Sequence, residues 1–231
     1  MSRKRKINGR IYDTIPETHM KHPFTCIVAG PTSCGKSSWV AQLLKNQRKI
    51  IPSPEKIVWC YSEWQQLYDT ISDVEFVEGI LDIKSLDKNL RTLLIIDDLM
   101  SEKNDTLTKL FTKDSHHRNI SVLYITQNIF DQEKGRRTMS LNAQYMVAFK
   151  NPRDRGQISI LARQMFPSLP DYMPDAFDKA TSVAHGYLFI DLTQSTDDAY
   201  RLRTSVFGRP GCPLKSEVVY REDPIKRRRI S

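Results

Sequence analysis

The tightest constraint on this chain is an eight-residue stretch, GPTSCGKS at residues 30–37, which fits the pattern GxxxxGK[ST]. Its surroundings are those the pattern needs. The preceding FTCIVAG, residues 24–30, is a short apolar, β-rich run. From Lys36 to about Gln47, apolar Trp39, Val40, Leu43 and Leu44 recur at helical spacing. A strand, a turn and a helix are expected. A loop with glycine at both ends can turn successive backbone N–H groups inward around a phosphate, and the helix start behind it adds partial positive charge. Gly30, Pro31, Thr32, Ser33, Cys34, Gly35, Lys36, Ser37 and Ser38 are therefore the expected nucleotide-binding residues. Lys36 would reach the β- and γ-oxygens of a triphosphate, and the Ser37 hydroxyl would ligate Mg2+.

Such a cradle needs an acid at the end of a neighbouring strand to hold the metal, and hydrolysis needs a second group for the attacking water. TLLIIDD at 92–98 supplies both. Asp97, the first acid after the apolar run, is assigned to the metal, and Asp98 to polarising water near the γ-phosphate. A third run, SVLYITQN at 121–128, ends in Thr126 and Gln127. Parallel strands gather their C-terminal ends on one side, where ligands bind, so Gln127 is expected to face the γ-phosphate beside Asp97.

Further β-type runs stand at 56–62, 145–150, 186–192 and 201–207, and helix-capable stretches at 64–70, 103–113 and 154–166. CIVAG and LLIID are continuously apolar, as in strands covered by helices on both faces. The alternation predicts an α/β fold with a mostly parallel sheet. No clear helix separates the last two runs, which predicts an antiparallel hairpin at one edge, and the proline-rich FPSLPDYMPD at 166–175 is expected to be an irregular connection. The expected division is a basic arm at 1–20, one domain at 21–210 and a basic tail at 211–231.

The 231 residues suffice for one sizeable core, and 27% charged residues with 9 glycines exclude collagen-like or disordered chains. No apolar run approaches the roughly 20 residues that span a bilayer, and MSRKRKINGR leads into no signal-peptide core, so no membrane partner is expected. Cys26, Cys34, Cys60 and Cys212 lack CxxC spacing, the pattern of reduced thiols in a reducing compartment. The net charge of +8 sits entirely at the ends. Arg3, Lys4, Arg5, Lys6 and Arg10 meet no acid in the first ten residues, and Arg221, Lys226, Arg227, Arg228 and Arg229 outweigh Glu222 and Asp223. Such clusters suit a nuclear-import signal or a phosphate-binding arm. Adjacent His116 and His117 lack the further ligands of a zinc site. Trp59, Tyr61 and Trp64 read as core rather than as a base-stacking surface.

Taken together, CIVAGPTSCGKS, LLIIDD and SHHRNISVLYITQN resemble the FtsK/HerA superfamily of ring-shaped DNA-pumping ATPases. They are most similar to its viral genome-packaging branch, found in poxviruses, other large DNA viruses, virophages and Polinton-like elements. The resemblance spans roughly residues 22–165. It implies a P-loop NTPase of RecA-like, three-layer αβα architecture that hydrolyses ATP with Mg2+. Lys36 and Ser37 take Walker A roles, Asp97 the Walker B metal role and Gln127 that of the sensor glutamine. Many members carry Glu where this chain has Asp98, one methylene shorter. The resemblance further implies a homo-oligomeric ring, pentamer or hexamer, which pumps double-stranded DNA into a capsid at its vertex. The work would be done in a host nucleus, a viral assembly site or the virion.

Rings of this kind complete each site with an arginine from the neighbour. Arg118 is the favoured candidate, ahead of Arg136, Arg137, Arg153 and Arg155. The Lys134, Arg136 and Arg137 of EKGRRTMS, just after the sensor strand, are expected to line a DNA-contacting pore loop. Two rival readings keep the cradle but change the function. A nucleoside or nucleotide kinase would transfer phosphate to a nucleoside, and a nucleotide-switched DNA-associated module would hydrolyse once and change partners.

Overall fold

In a computed structural model of the chain, the described residues are 4–7, 10–13, 17–97, 99, 108–115, 118–129, 134–208 and 217–221, with 4–7, 10–13, 114 and 134–137 described by backbone alone. Asp98, His116, His117 and Cys212 fall outside them. Two strands near the start, β1 (Lys4–Ile7) and β2 (Arg10–Asp13), pair as an antiparallel hairpin. A small parallel pair joins β3 (Met20–Lys21) to β5 (Ile50–Ile51).

The main sheet holds nine strands. They are β4 (Thr25–Ala29), β6 (Lys56–Tyr61), β7 (Glu75–Glu78), β8 (Thr92–Asp97), β9 (Ile120–Thr126), β10 (Tyr145–Phe149), β11 (Tyr187–Asp191), β12 (Leu202–Thr204) and β13 (Val218–Tyr220). Their spatial order is β13-β12-β11-β10-β4-β9-β8-β6-β7. From β10 to β7 every pairing is parallel, and β11, β12 and β13 add on antiparallel. The expected antiparallel hairpin is β11–β12, extended outward by β13, which comes from the stretch read as a tail.

Apolar residues occupy both faces of the central strands, so each strand serves two cores. On β4, Cys26 and Val28 face the cluster that includes Trp39, Val40, Leu43 and Leu44 of helix α1 (Lys36–Lys45). Ile27 and Ala29 face the opposite cluster. That second core is roofed by α2 (Lys134–Asn142), α3 (Gly156–Met165), α4 (Tyr172–Ala180) and a π-helical segment, Leu110–Asp114. Helices therefore cover both faces of the sheet. This is the three-layer αβα arrangement, and β10-β4-β9-β8-β6 follows the RecA-like order, in which the strand after the acidic one is inserted beside the phosphate-loop strand.

Beyond β1, β2, β3, β5 and β13, which match no expected strand, four segments differ from expectation. The 64–70 stretch is a turn ending in a short 3-10 helix, Tyr68–Thr70, because burying Tyr68 pulls the chain out of helical register. The 166–175 stretch is irregular only at its start. Asp171 precedes α4, and Pro174 sits in the first helical turn, where a missing N–H costs nothing. The stretch read as a pore loop is the first part of α2; Gly135 does not break it, because Met139 and Ala143 anchor this segment in the core. Lys134, Arg136 and Arg137 therefore stand on a helix. Finally, β7 has no counterpart among the expected strands: its residues EFVE are only half covered, and it forms the sheet edge.

Candidate nucleotide site

The cradle begins where β4 ends. The Gly30 N–H donates to the Thr126 carbonyl of β9 at 3.2 Å, locking the loop entrance to the neighbouring strand. A Cβ at Gly30 would lie 2.7 Å from both Cys34 Sγ and Phe149 Cβ, so only glycine lets the chain pass. Gly35 immediately precedes α1 with φ 109°, in the left-handed region that favours glycine. From there the first-turn amides of α1 have no carbonyl within their own helix and point toward the loop's mouth. Lys36 Nζ donates to the carbonyls of Gly30 at 2.7 Å and Pro31 at 3.0 Å, which holds the ammonium across the loop. His185 closes the far side, with Nδ1 3.0 Å from the Cys34 carbonyl. Burial pushes the Cys34 thiol up, so it is an inert neighbour.

Asp97, the last residue of β8, is 6% exposed. Its Oδ2 accepts hydrogen bonds from Ser37 Oγ at 3.3 Å and from Tyr68 Oη at 3.0 Å. The Tyr68 hydroxyl is pushed far up, first by burial and then by the neighbouring Asp97 carboxylate, so it stays a donor at any ordinary pH. Around it the rings of Trp59, Tyr61, Trp64 and Phe76 lie within 5.7 Å of its own, with Phe76 stacked at 5.0 Å. Trp59 is a core residue as expected, but Trp64 is 52% exposed and faces the cleft.

Register then fixes the remaining member. Asp97 pairs with Ile125, and Ala29 with Thr126, so Gln127 emerges at the same end of the sheet as the loop and the acid. The residues after it are held by α3: Gln157 Oε1 accepts from the Ile129 N–H at 2.7 Å, and its Nε2 donates to Asn128 Oδ1 at 3.3 Å and Asp154 Oδ2 at 2.6 Å. One cleft of about 720 Å3 is lined by Lys36, Ser37, Asp97 and Gln127 together with Glu63, Trp64, Tyr68, Phe149, His185 and Tyr187. Thr32, Ser33, Gly35 and Ser38 line it as well, whereas Cys34 faces a second cavity behind the loop.

The arginines divide by position. Arg118 precedes β9 and lies at the end of the sheet opposite Gln127, roughly 20 Å along a seven-residue strand, so it does not reach this cleft. Arg153 and Arg155 follow β10 at the cleft end, and Arg155 pairs with Asp178. Among the described residues no group of three or more His, Cys, Asp or Glu could hold a metal. Ser37 and Asp97, whose side chains meet at 3.3 Å, offer hard oxygen donors beside the loop that suit Mg2+ completed by phosphate and water. Sequence reasoning missed Tyr68, Glu63 and His185. Each is a lone residue on a connection, with no periodicity or motif to mark it.

No protein-family model and no curated protein matches the sequence. Among solved structures, the chain is similar to the genome packaging NTPase B204 of Sulfolobus turreted icosahedral virus 2, at 13% identity over 75% of this chain and 93% of that one, with a TM-score of 0.49. It is similar to the KaiC-like protein PH0186 of Pyrococcus horikoshii OT3, at 12% identity over 86% and 90% of the two chains and a TM-score of 0.45. A third is the cytoplasmic domain of the Type VII secretion ATPase EccC of Thermomonospora curvata, at 12% identity over 87% of this chain and 29% of that one, with a TM-score of 0.46.

Proposed function

We propose that this chain is a Mg2+-dependent ATPase whose hydrolysis drives double-stranded DNA into a viral capsid. One observation carries the ATPase part: three adjacent parallel strands deliver the phosphate loop, Gln127 and the Ser37-bound Asp97 to a single cleft. Lys36 leaves the loop carbonyls for the β- and γ-oxygens of the bound nucleotide, exchanging two neutral acceptors for charged ones. Ser37 and Asp97 hold Mg2+, which when bound neutralises charge on the transferred phosphoryl group. Tyr68 keeps Asp97 oriented for that task. Gln127 hydrogen-bonds the γ-phosphate and the attacking water. Asp98, which the sequence assigns to activating that water, lies outside the described residues.

The packaging part rests on the sequence resemblance and on the basic ends of the chain. A ring of identical subunits, docked at a capsid vertex in the host nucleus, at an assembly site or in the virion, would present Lys134, Arg136 and Arg137 of α2 to the DNA backbone. Arg118, at the end of the sheet away from its own cleft, would act on a neighbour's nucleotide. Steady-state ATP hydrolysis with and without long duplex DNA, run beside a mass measurement of the complex, tests the proposal. DNA-stimulated turnover by a ring-sized assembly supports it. Turnover indifferent to DNA removes the motor, and phosphate transfer to a nucleoside replaces the hydrolase with a kinase.

A further inference from the structure

The turn between α4 and β11 carries a residue in a backbone form that few side chains adopt. His185 has φ 55°, in the left-handed region that favours glycine, and such a residue persists only where its surroundings hold it. This turn is braced on both sides. Thr181, just after α4, donates its hydroxyl to the Phe177 carbonyl at 2.8 Å, the Gly186 N–H donates to the Val183 carbonyl at 3.1 Å, and Tyr187 opens β11 in register with Phe149. So held, the imidazole meets the phosphate loop: Nδ1 lies 3.0 Å from the Cys34 carbonyl oxygen, and a Cβ added at Gly35 would stand 3.3 Å from the same nitrogen. A carbonyl oxygen only accepts, so Nδ1 carries the proton and donates.

That bond acts on a single peptide unit. The Cys34 carbonyl and the Gly35 N–H share one trans plane and point in opposite directions, so fixing the carbonyl fixes the amide. A flipped unit would present an acceptor where a phosphate needs a donor. The loop is thinly supported at this point. The Cys34 side chain faces the second cavity, of about 330 Å3, and His185, Ser33 and Phe149 border both that cavity and the cleft, so the imidazole stands where the loop would otherwise back onto open space. Lys36 holds the Gly30 and Pro31 carbonyls but leaves them for the bound nucleotide. The bond from His185 is not surrendered in that exchange.

We infer that His185 is a positioning residue of the phosphate loop, a role that rests on the ATPase reading above. It holds the Cys34 carbonyl out of the anion's space and keeps the Gly35 N–H turned to the loop's mouth while Lys36 moves to the nucleotide. The imidazole acts through the loop backbone and takes no part in activating water. Its loss therefore falls on the grip of the polyphosphate and not on the chemical step.

The test compares wild type, His185→Asn, His185→Gly and His185→Ala in equilibrium binding of a non-hydrolysable ATP analogue and of inorganic tripolyphosphate, both with Mg2+, and in KM and kcat for ATP. Asparagine accepts the left-handed backbone and can place a side-chain N–H where Nδ1 stands, glycine keeps the backbone but lacks the donor, and alanine lacks both. One neutral hydrogen bond is worth about 5-fold net, so His185→Gly and His185→Ala should each weaken both ligands by at least about 5-fold. KM should rise in step, with kcat at saturating ATP within about 2-fold of wild type. His185→Asn should bind both ligands within about 2-fold of wild type. The inference is overturned if the glycine and alanine variants bind as wild type does, if only one of them loses affinity, if His185→Asn loses as much as they do, or if the loss is confined to kcat. In those cases the wild type still binds and hydrolyses ATP, and the ATPase reading stands. A wild type that binds neither ligand removes both.

Discussion

At the residue scale, the hydrogen bond from Tyr68 to Asp97 is the clearest case of a side chain acting through another. Removing a partner that orients a metal ligand typically costs about 10- to 100-fold in metal affinity, so Tyr68→Phe should raise the Mg2+ concentration for half-maximal turnover by at least about 10-fold. At saturating Mg2+, kcat should recover to near wild type; a Mg2+ titration of both proteins reads this out. His22 offers a pH test far from the cleft. Its ring lies 2.5 Å from Ser121 Oγ and 3.0 Å from Asn119 Oδ1, and burial holds its pKa below the ordinary 6.5. The unfolded chain takes up that proton first, so stability should fall as pH drops below about 6.5 and level off below the depressed folded value. Thermal melts of wild type and His22→Gln between pH 7.5 and 5 should converge toward the acid end; parallel curves would contradict the assignment.

At the element scale, β13 is held by charge as well as by pairing. Glu217, just before it, meets Lys49 at 2.6 Å and Arg203 at 3.2 Å, all three side chains being 6% exposed, and it also accepts from Thr18. Removing the carboxylate takes one acid from each of two buried cations, while Lys49 keeps Glu17 at 2.9 Å, so the cost falls below the roughly 3–5 kcal/mol of a fully uncompensated buried charge. Glu217→Ala should therefore lower Tm by a few degrees, read in a thermal melt beside wild type, and an unchanged Tm would show that this cluster does not hold β13. This element also marks where sequence reading stops. The strands β4, β8, β9, β10 and β11 were legible because the two cores bury both their faces, which leaves continuous apolar runs. By contrast, β13 is three residues of intermediate burial whose pairing depends on Glu217 meeting Lys49 and Arg203, partners remote in sequence. The α4 start was hidden by prolines, which mark both breaks and first turns. At the site, GPTSCGKS and the acid-ending strand were visible because phosphate chemistry demands fixed spacing. Tyr68 was not, because a lone contact made across a turn leaves no pattern.

At the scale of the whole molecule, the fold converts strand order into a binding site. Inserting β9 between β4 and β8 sets Gln127 between the phosphate loop and Asp97, and α3 steadies the chain just past it through Gln157. Motion at the γ-phosphate thus has a packed route toward the helices on the opposite face of the sheet. Gln157→Ala should lower kcat while leaving nucleotide affinity within about 3-fold, since it loosens the water-orienting side and not the cradle; paired kinetics and binding read the difference. The central claim is that residues 30–37 grip a triphosphate against Asp97. Its most direct measurement is calorimetric titration of a non-hydrolysable ATP analogue into wild type, Lys36→Ala and Asp97→Asn, with and without Mg2+. The account predicts binding by the wild type that Mg2+ strengthens, binding by Asp97→Asn that Mg2+ no longer strengthens, and loss of at least about 100-fold in Lys36→Ala, the worth of a charge-assisted contact to phosphate in a partly closed site. Equal binding by Lys36→Ala and wild type would contradict it.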